Sequence, residues 1–98
     1  MSVTVCRVVI RGRVQGVGYR AWTEYTALDL GLEGWVRNRR DGTVEALFAG
    51  PQEAVDEMLE TCHQGPPGAR VEIVEPQPSM PEHMALRRAG EFLVLPTA

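Results

Sequence analysis

A glycine-rich joint between two secondary-structure patterns constrains this chain more than any other feature. It spans residues 11–20 and reads Arg-Gly-Arg-Val-Gln-Gly-Val-Gly-Tyr-Arg, after an alternating apolar run and before a helical pattern. Glycines let the backbone bend tightly and turn successive N–H groups inward, which makes a nest for an anion. The helix start adds further free N–H groups, and Arg20 adds a planar guanidinium that can bind two oxygens of one phosphate. The joint therefore predicts a small oxyanion site suited to phosphate.

Two widespread phosphate-binding loops do not fit this joint. A Walker loop ends in Gly-Lys-Ser or Gly-Lys-Thr, and the chain contains no lysine. The dinucleotide fingerprint needs a different spacing from that of Gly12, Gly16 and Gly18, and no βαβ unit of sufficient length follows. From these residues alone, an ordinary glycine-rich turn between a strand and a helix remains the alternative.

The periodicity of apolar residues predicts an α+β fold. Strands are predicted at 3–11, 32–38, 43–49 and 69–75, with a short last strand at 92–95. Helices are predicted at 19–30 and from Gly50-Pro51 to a stop at 64–68. This β-α-β-β-α-β order predicts a ferredoxin-like sandwich, in which an antiparallel sheet carries two helices on one face and leaves the other face partly exposed. Residues 1–98 are expected to form a single domain.

The sequence makes specific predictions for two segments in its second half and for the buried faces of one strand and two helices. Three prolines in residues 76–81 predict a loop, because proline removes ladder donors from a central strand. Residues 82–90 are compatible with either a short helix or an irregular strand. The side chains expected in the core are Thr4, Cys6, Val8 and Ile10 of the first strand, Tyr19, Trp22, Thr23, Tyr25, Ala27 and Leu30 of the first helix, and Val55, Met58, Leu59 and Cys62 of the second.

The cysteines and histidines do not form a recognisable site. Cys6 and Cys62 are expected on apolar faces as buried free thiols, and a disulfide between a strand and a helix that pack together is the alternative. His63 and His83 lack the neighbouring ligands of a metal site and are expected on the surface or in loops. No metal and no cofactor are therefore predicted.

Two segments of the sequence resemble the signatures of the acylphosphatase family. Residues 12–20, Gly-Arg-Val-Gln-Gly-Val-Gly-Tyr-Arg, are similar to the first signature. Residues 34–38, Gly-Trp-Val-Arg-Asn, with Asp-Gly-Thr-Val at 41–44, are similar to the second. The resemblance extends over residues 5–75, although Tyr19 stands where the family commonly has phenylalanine. It implies the same ferredoxin-like fold.

The resemblance also implies a reaction and the residues that carry it. The reaction is hydrolysis of an acyl phosphate to a carboxylate and inorganic phosphate, with Arg20 as the catalytic, phosphate-binding arginine and Asn38 as the asparagine that orients the attacking water. Without the resemblance, Asn38 at the end of a strand is also a common turn former. The other implied phosphate-binding residues act through backbone N–H groups, and their side chains are expected to matter little: Gln15, Gly16, Val17, Gly18 and Tyr19. The arginines expected to be solvated or structural are Arg13, Arg37, Arg39 and Arg40.

The distribution of charge and the residue types present limit the possible functions of this chain. Residues 1–40 carry seven arginines against three acids, a net charge of +4, whereas the remainder carries −7, so the positive half holds both signatures. This favours a small anionic substrate over nucleic acid. The resemblance implies that this substrate is an acyl phosphate, and the loop that binds its phosphoryl group predicts phosphate or sulfate ion as competitor. Ser2 and Ser79 lie in irregular segments, so no serine nucleophile is expected. The nearest acids, Glu24 and Asp41, are expected to be exposed.

Two other functions are compatible with this fold. One is a non-catalytic anion-binding or interaction module, and the other is an acylphosphatase-like domain in a larger enzyme, as in the hydrogenase-maturation carbamoyltransferases. No apolar run reaches the ~18 residues of a membrane span, and the N-terminus lacks the pattern of a signal peptide. The expected protein is therefore a cytoplasmic monomer that binds neither membrane nor nucleic acid.

Overall fold

Eight secondary-structure elements follow one another in the computed structural model, which describes residues 3–98. The predicted strands and the two long helices are all present, with boundaries within about two residues of those expected. The strands are β1 (Thr4–Arg13), β2 (Glu33–Asn38), β3 (Val44–Gly50), β4 (Arg70–Gln77) and β5 (Phe92–Val94), and the helices are α1 (Tyr19–Asp29), α2 (Gln52–Cys62) and the one-turn α3 (Pro81–Met84).

The strands form one mixed sheet in the order β4-β1-β3-β2-β5. β1 pairs antiparallel with β3 and β4, and β2 pairs antiparallel with β3, so the predicted ferredoxin-like arrangement is confirmed. β5 runs parallel to β2, with Leu93 opposite Trp35, and adds a parallel pair to the expected antiparallel sheet. The chain reaches this edge because residues 78–84 lie across the sheet, where they bond to Arg7 and Trp35.

The core lies between the sheet and the two long helices. Val8 and Ile10 of β1 face it, together with Val36, Ala46 and Phe48 of the neighbouring strands. Cys6 packs against the edge of this core, as predicted for its face of β1. The predicted stripes of the helices are buried at Tyr19, Thr23 and Ala27 of α1 and at Val55, Met58 and Cys62 of α2.

One predicted core residue is on the surface. The side chain of Tyr25 is 74% exposed, whereas Trp22, predicted beside it, packs against the core. At about 100° per residue, Tyr25 points roughly 150° away from the centre of the buried stripe of α1. Trp22 lies closer to that stripe, and its ring centroid is 5.2 Å from the ring centroid of Tyr19. The prediction of burial was therefore wrong for Tyr25.

The second face of the sheet is covered around Trp35. Trp35 Nε1 donates to the carbonyl oxygen of His83 at 3.0 Å, and Arg7 Nε donates to that of Pro78 at 2.9 Å. The His83 side chain is only 14% exposed, and its Nε2 lies 3.8 Å from Glu45 Oε2. His83 also belongs to α3, so the prediction of a surface or loop histidine was wrong. Local sequence did not indicate this burial, because His83 reaches the sheet through tertiary contacts alone.

Glu45 is a buried carboxylate on this second face with two arginine partners. Arg37 Nε and Arg7 Nη1 each lie 2.7 Å from one of its oxygens. Burial by itself would raise the pKa of Glu45, but the hydrogen bonds and positive charges of Arg37 and Arg7 outweigh burial and lower the pKa below its ordinary value. Arg37 therefore has the structural role expected for it, and its guanidinium also lies 4.7 Å from the ring centroid of Trp35.

β4 continues two residues into the predicted proline loop. Pro76 lies opposite Val8 and Gln77 lies opposite Arg7, so the prediction of a loop at 76–81 was wrong for its first two residues. Proline is tolerated here because β4 is an edge strand that pairs only with β1, and an edge strand uses only half of its ladder donors. Residues 82–90 contain the rest of α3 followed by turns rather than a strand.

Candidate active site

Two glycines with left-handed backbone angles shape the loop that joins β1 to α1. Gly16 has a φ of 75° and Gly18 a φ of 81°, values that residues with a side chain rarely adopt. A Cβ atom at either position would meet nothing within 4 Å, so the backbone angle and not crowding requires glycine. Gly18 is also the N-cap residue of α1, and no side chain caps this helix start. The loop therefore bends sharply and leads into an uncapped helix.

The backbone N–H groups around the start of α1 are unpaired. The first hydrogen bond of the helix runs from Trp22 N to Gly18 O at 3.1 Å. The N–H groups of residues 16–20 donate to no carbonyl and to no side chain of residues 3–98. Free N–H groups at a helix N-terminus, together with the positive end of the helix dipole, attract an anion. The loop thus has the donors that a bound oxyanion needs.

The side chain of Gln15 connects this loop to the β2–β3 hairpin. Its Nε2 donates to the carbonyl oxygens of Arg39 and Thr43, at 2.8 Å in each case. The expectation that this side chain matters little was wrong, because it holds together the two segments that carry the two signatures. Val17 instead packs its side chain against the core.

Tyr19 anchors the first turn of α1. Its side chain is buried, and its hydroxyl donates to the carbonyl oxygen of Cys62 at 2.8 Å. Burial raises the pKa of Tyr19 far above its ordinary value, so the hydroxyl stays protonated. A phenylalanine at this position would lack the bond from α1 to the end of α2. The side chain of Tyr19 therefore has a structural role that was not expected from the sequence.

Asp41 and not Asn38 stabilises the hairpin turn. Asp41 Oδ1 accepts hydrogen bonds from Thr43 Oγ1 at 2.6 Å and from Thr43 N at 3.0 Å, and these bonds lower the pKa of Asp41. Asp41 is exposed, as expected. The interpretation of Asn38 as a turn former therefore has no support in the hydrogen bonds of this turn.

Asn38 is the last residue of β2, and its side-chain amide has an unused acceptor. Asn38 Oδ1 is buried and accepts no hydrogen bond within residues 3–98. A buried amide oxygen without a donor costs free energy unless a water or a ligand supplies the donor. Asn38 also lines the pocket described next, so its side-chain amide can contact a molecule bound there.

Residues of both signatures meet in this pocket, which has a volume of about 310 Å³. Gly16, Gly18, Tyr19 and Arg20 line it from the first signature, and Asn38 lines it from the second. This size is at the lower end for pockets that bind small molecules. Two of the predicted phosphate-binding residues are in the same loop but are not part of the lining: Gln15 and Val17.

Four further residues line the pocket, and sequence reasoning had not assigned them to the site: Val14, Ala21, Glu24 and Val94. Glu24 was expected to be exposed but is half-buried. It follows Arg20 by four residues and so lies on the same face of α1. Helical periodicity alone could therefore have indicated that Glu24 lies near the site. Val94 comes from β5, and it reaches the pocket only because β5 pairs with β2. Nothing in the local sequence indicates that pairing.

The cysteines, Ser79 and His63 do not line this pocket. Within residues 3–98, no group of three or more His, Cys, Asp or Glu side chains could hold a metal ion. Cys6 and Cys62 are free, and burial raises the pKa of both thiols, that of Cys62 to about 12. Ser79 and His63 are exposed, and Ser2 lies outside the described residues. In the same part of the chain, no helix has the length and apolar character needed to cross a membrane.

The chain is similar to known proteins over almost its whole length. Residues 6–87 match the family model described as Acylphosphatase. An acylphosphatase from Bradyrhizobium diazoefficiens is 59% identical over 98 residues, which cover 99% of this chain and 99% of that protein.

Two solved structures have the same fold. The structure of an acylphosphatase from Coxiella burnetii superposes with a TM-score of 0.83 at 31% identity, covering 95% of this chain and 93% of that one. The crystal structure of an acylphosphatase from Bacillus subtilis superposes with a TM-score of 0.77 at 33% identity, covering 96% of this chain and 99% of that one. The similarity therefore includes both signature segments and the strand β5 beyond them.

Proposed function

This chain belongs to the acylphosphatase family and hydrolyses acyl phosphates, and from that premise we propose which residues carry out the reaction. Arg20 binds the phosphoryl group together with the backbone N–H groups of the loop, and Asn38 orients the attacking water. The proposal is supported most by the unpaired N–H groups, which lie with the Arg20 guanidinium and the Asn38 amide around one pocket. The loop residues proposed to bind phosphate besides Arg20 are Gln15, Gly16, Val17, Gly18 and Tyr19.

In the proposed mechanism, water attacks phosphorus and the bond between phosphorus and the acyl oxygen breaks. The guanidinium of Arg20 and the loop N–H groups bind the three equatorial oxygens, spread their charge and keep the phosphoryl group in line with the water. The side-chain amide of Asn38 forms a hydrogen bond with the water, which directs a lone pair of the water oxygen at phosphorus. The carboxylate leaves with the electron pair of the broken bond, and a proton of the water passes to the phosphate that is released.

The chemistry of the leaving group explains why this site needs no general acid. A carboxylate is stable as an anion at neutral pH, so its oxygen does not have to be protonated as the bond breaks. The groups of the two signatures are therefore sufficient: a cation, backbone donors and an amide.

A non-catalytic anion-binding module is the alternative function. It is not favoured, because the relatives reported above are acylphosphatases. The enzyme would turn over acyl phosphates, whereas the binding module would not. We expect the purified protein to hydrolyse acetyl phosphate to acetate and phosphate at a rate proportional to protein concentration. Phosphate binding without hydrolysis above the rate in buffer would favour the module instead.

We also propose the domain organisation, location and partners of the protein. Residues 1–98 act as one domain in a cytoplasmic monomer that uses no cofactor and binds neither nucleic acid nor membrane. Arg20 is the cation that lines the pocket, which suits a small anion.

Inorganic phosphate and sulfate are expected to inhibit hydrolysis competitively. The loop donors recognise a tetrahedral oxyanion and make no use of the acyl group, so both ions should occupy the place of the phosphoryl group. Initial rates over a series of acetyl phosphate concentrations would show a raised KM and an unchanged kcat. Purely noncompetitive inhibition would mean that the substrate binds elsewhere.

Hydrolysis is expected to continue after exhaustive chelation of divalent metals. Arg20 and the loop N–H groups are proposed to neutralise the phosphoryl charge, which is the task that a magnesium ion performs in many phosphoryl-transfer enzymes. The measurement is kcat with acetyl phosphate after dialysis against EDTA, with a sample resupplied with magnesium or zinc for comparison. Activity that is lost on dialysis and regained only with metal would contradict the mechanism.

A further inference from the structure

The residues that line the active-site pocket include two charged side chains. Arg20 is the cation and Glu24 is the anion, while the other lining residues are uncharged. The mechanism above uses Arg20 and leaves Glu24 without a role. A carboxylate near an anionic substrate opposes its binding, so an acid in this position requires an explanation.

Glu24 is not a salt-bridge partner of Arg20. The spacing of four residues places the two on one face of α1, where such pairs commonly form. Nevertheless, no ion pair or side-chain hydrogen bond involves Glu24 within the described chain, residues 3–98. The Glu24 carboxylate is therefore not neutralised by a neighbour, and because it is half-buried its charge is screened less than that of an exposed group.

The position of Glu24 separates it from the phosphate-binding end of the pocket. Gly16 and Gly18 lie in the loop before α1, whereas Glu24 lies about 6 Å beyond Arg20 along the helix axis. Ala21 of the same helix and Val94 of β5 line the pocket with it. Once the loop and Arg20 hold the phosphoryl group and Asn38 holds the water, the lining that remains for the acyl group is Val14, Ala21, Val94 and the Glu24 carboxylate.

On the basis of the proposed function, we propose that Glu24 determines substrate specificity by charge. Glu24 favours acyl phosphates whose acyl group is uncharged or cationic, and it disfavours those that carry a second carboxylate or phosphate on the acyl group. The apolar contacts with Ala21 and Val94 suit short alkyl or aryl acyl groups.

Coulomb's law gives the size of the effect. Two unit charges roughly 7 Å apart, at an effective dielectric constant of about 40 to 80, change a binding constant by about three- to sevenfold. The phosphoryl group is common to all substrates, so its own repulsion from Glu24 cancels when two substrates are compared. The ratio of kcat/KM between two substrates therefore isolates the interaction of Glu24 with the acyl group.

The test compares benzoyl phosphate, 4-carboxybenzoyl phosphate and 4-(trimethylammonio)benzoyl phosphate. The proteins are the parent, Glu24→Gln, and the control Asp29→Asn, which removes an exposed acid of α1 that does not line the pocket. Glutamine has the shape and nearly the helix propensity of glutamate, so Glu24→Gln is expected to fold like the parent. The substituents also alter the leaving group, but they do so equally in all three proteins.

We expect Glu24→Gln to raise kcat/KM for the carboxylated substrate relative to benzoyl phosphate by about three- to sevenfold. The ratio for the cationic substrate should fall by a similar factor, and Asp29→Asn should leave both ratios as in the parent. Ratios in Glu24→Gln that stay within about twofold of the parent values would overturn the proposal.

A binding measurement separates this proposal from the proposed function. Benzylphosphonate and 4-carboxybenzylphosphonate cannot be hydrolysed, and their dissociation constants can be measured by NMR titration of the same three proteins. If no acyl phosphate is turned over, the proposed function fails, but the specificity proposal still predicts that Glu24→Gln tightens binding of the carboxylated phosphonate selectively. Equal changes for both phosphonates would contradict the specificity proposal whatever the turnover results.

Discussion

The Arg20→Lys protein is expected to lose about 10³-fold or more in kcat while it remains folded. Lysine keeps the positive charge, so a residue that acted only as a counter-charge would tolerate the change. A guanidinium binds two phosphate oxygens in one plane, whereas an ammonium is a point donor and cannot hold the phosphoryl group in line with the water. Most of the affinity for inorganic phosphate should be lost as well. The measurements are kcat with acetyl phosphate, the inhibition constant of phosphate, and the thermal unfolding midpoint.

Arg13→Lys is the matched control for this experiment. Arg13 is the last residue of β1, is exposed and is not among the residues that line the pocket. Its replacement changes the same chemical group at the opposite end of the loop, and activity should be close to that of the parent. If Arg20→Lys and Arg13→Lys both hydrolyse acetyl phosphate like the parent, the loop is not the active site.

The Asn38→Ala protein is expected to lose ~10²-fold in kcat, with a much smaller change in phosphate affinity. Asn38 is proposed to orient the water and not to bind the phosphoryl group, so its removal should leave the ground-state complex nearly intact. Its Oδ1 accepts no hydrogen bond within residues 3–98, so the free energy of unfolding should change by only about 1 kcal/mol. Turnover and phosphate inhibition of the variant, with chemical unfolding as a third readout, test these expectations together.

Asp41→Ala separates a catalytic role of Asn38 from a role in the hairpin. Asp41 accepts the two hydrogen bonds that stabilise the turn and does not line the pocket. We expect its removal to lower the free energy of unfolding and to leave kcat near that of the parent. Near-normal turnover of Asn38→Ala would show that the Asn38 amide has no catalytic role. An equal loss of turnover in Asp41→Ala would identify the hairpin as the important feature.

Much of the fold was predictable because its elements have regular local patterns. The alternation in β1 and the stripe of Tyr19, Thr23 and Ala27 in α1 identify buried faces without any long-range information. Errors occurred where a residue is placed by contacts from distant parts of the chain. His83 is held over the sheet by the bond from Trp35, and Pro76 is tolerated in β4 because that strand lies at the edge.

The sequence by itself determined the loop with its two left-handed glycines, the arginine that follows and the order of strands and helices. These features depend on backbone angles and on periodicity, which neighbouring residues specify. Only the tertiary structure decided that Asn38 lines the pocket, that Gln15 joins the loop to the hairpin, and that Val94 and Glu24 complete the pocket wall. Pairing between strands far apart in sequence brings these groups together, and no local pattern contains the distances that result.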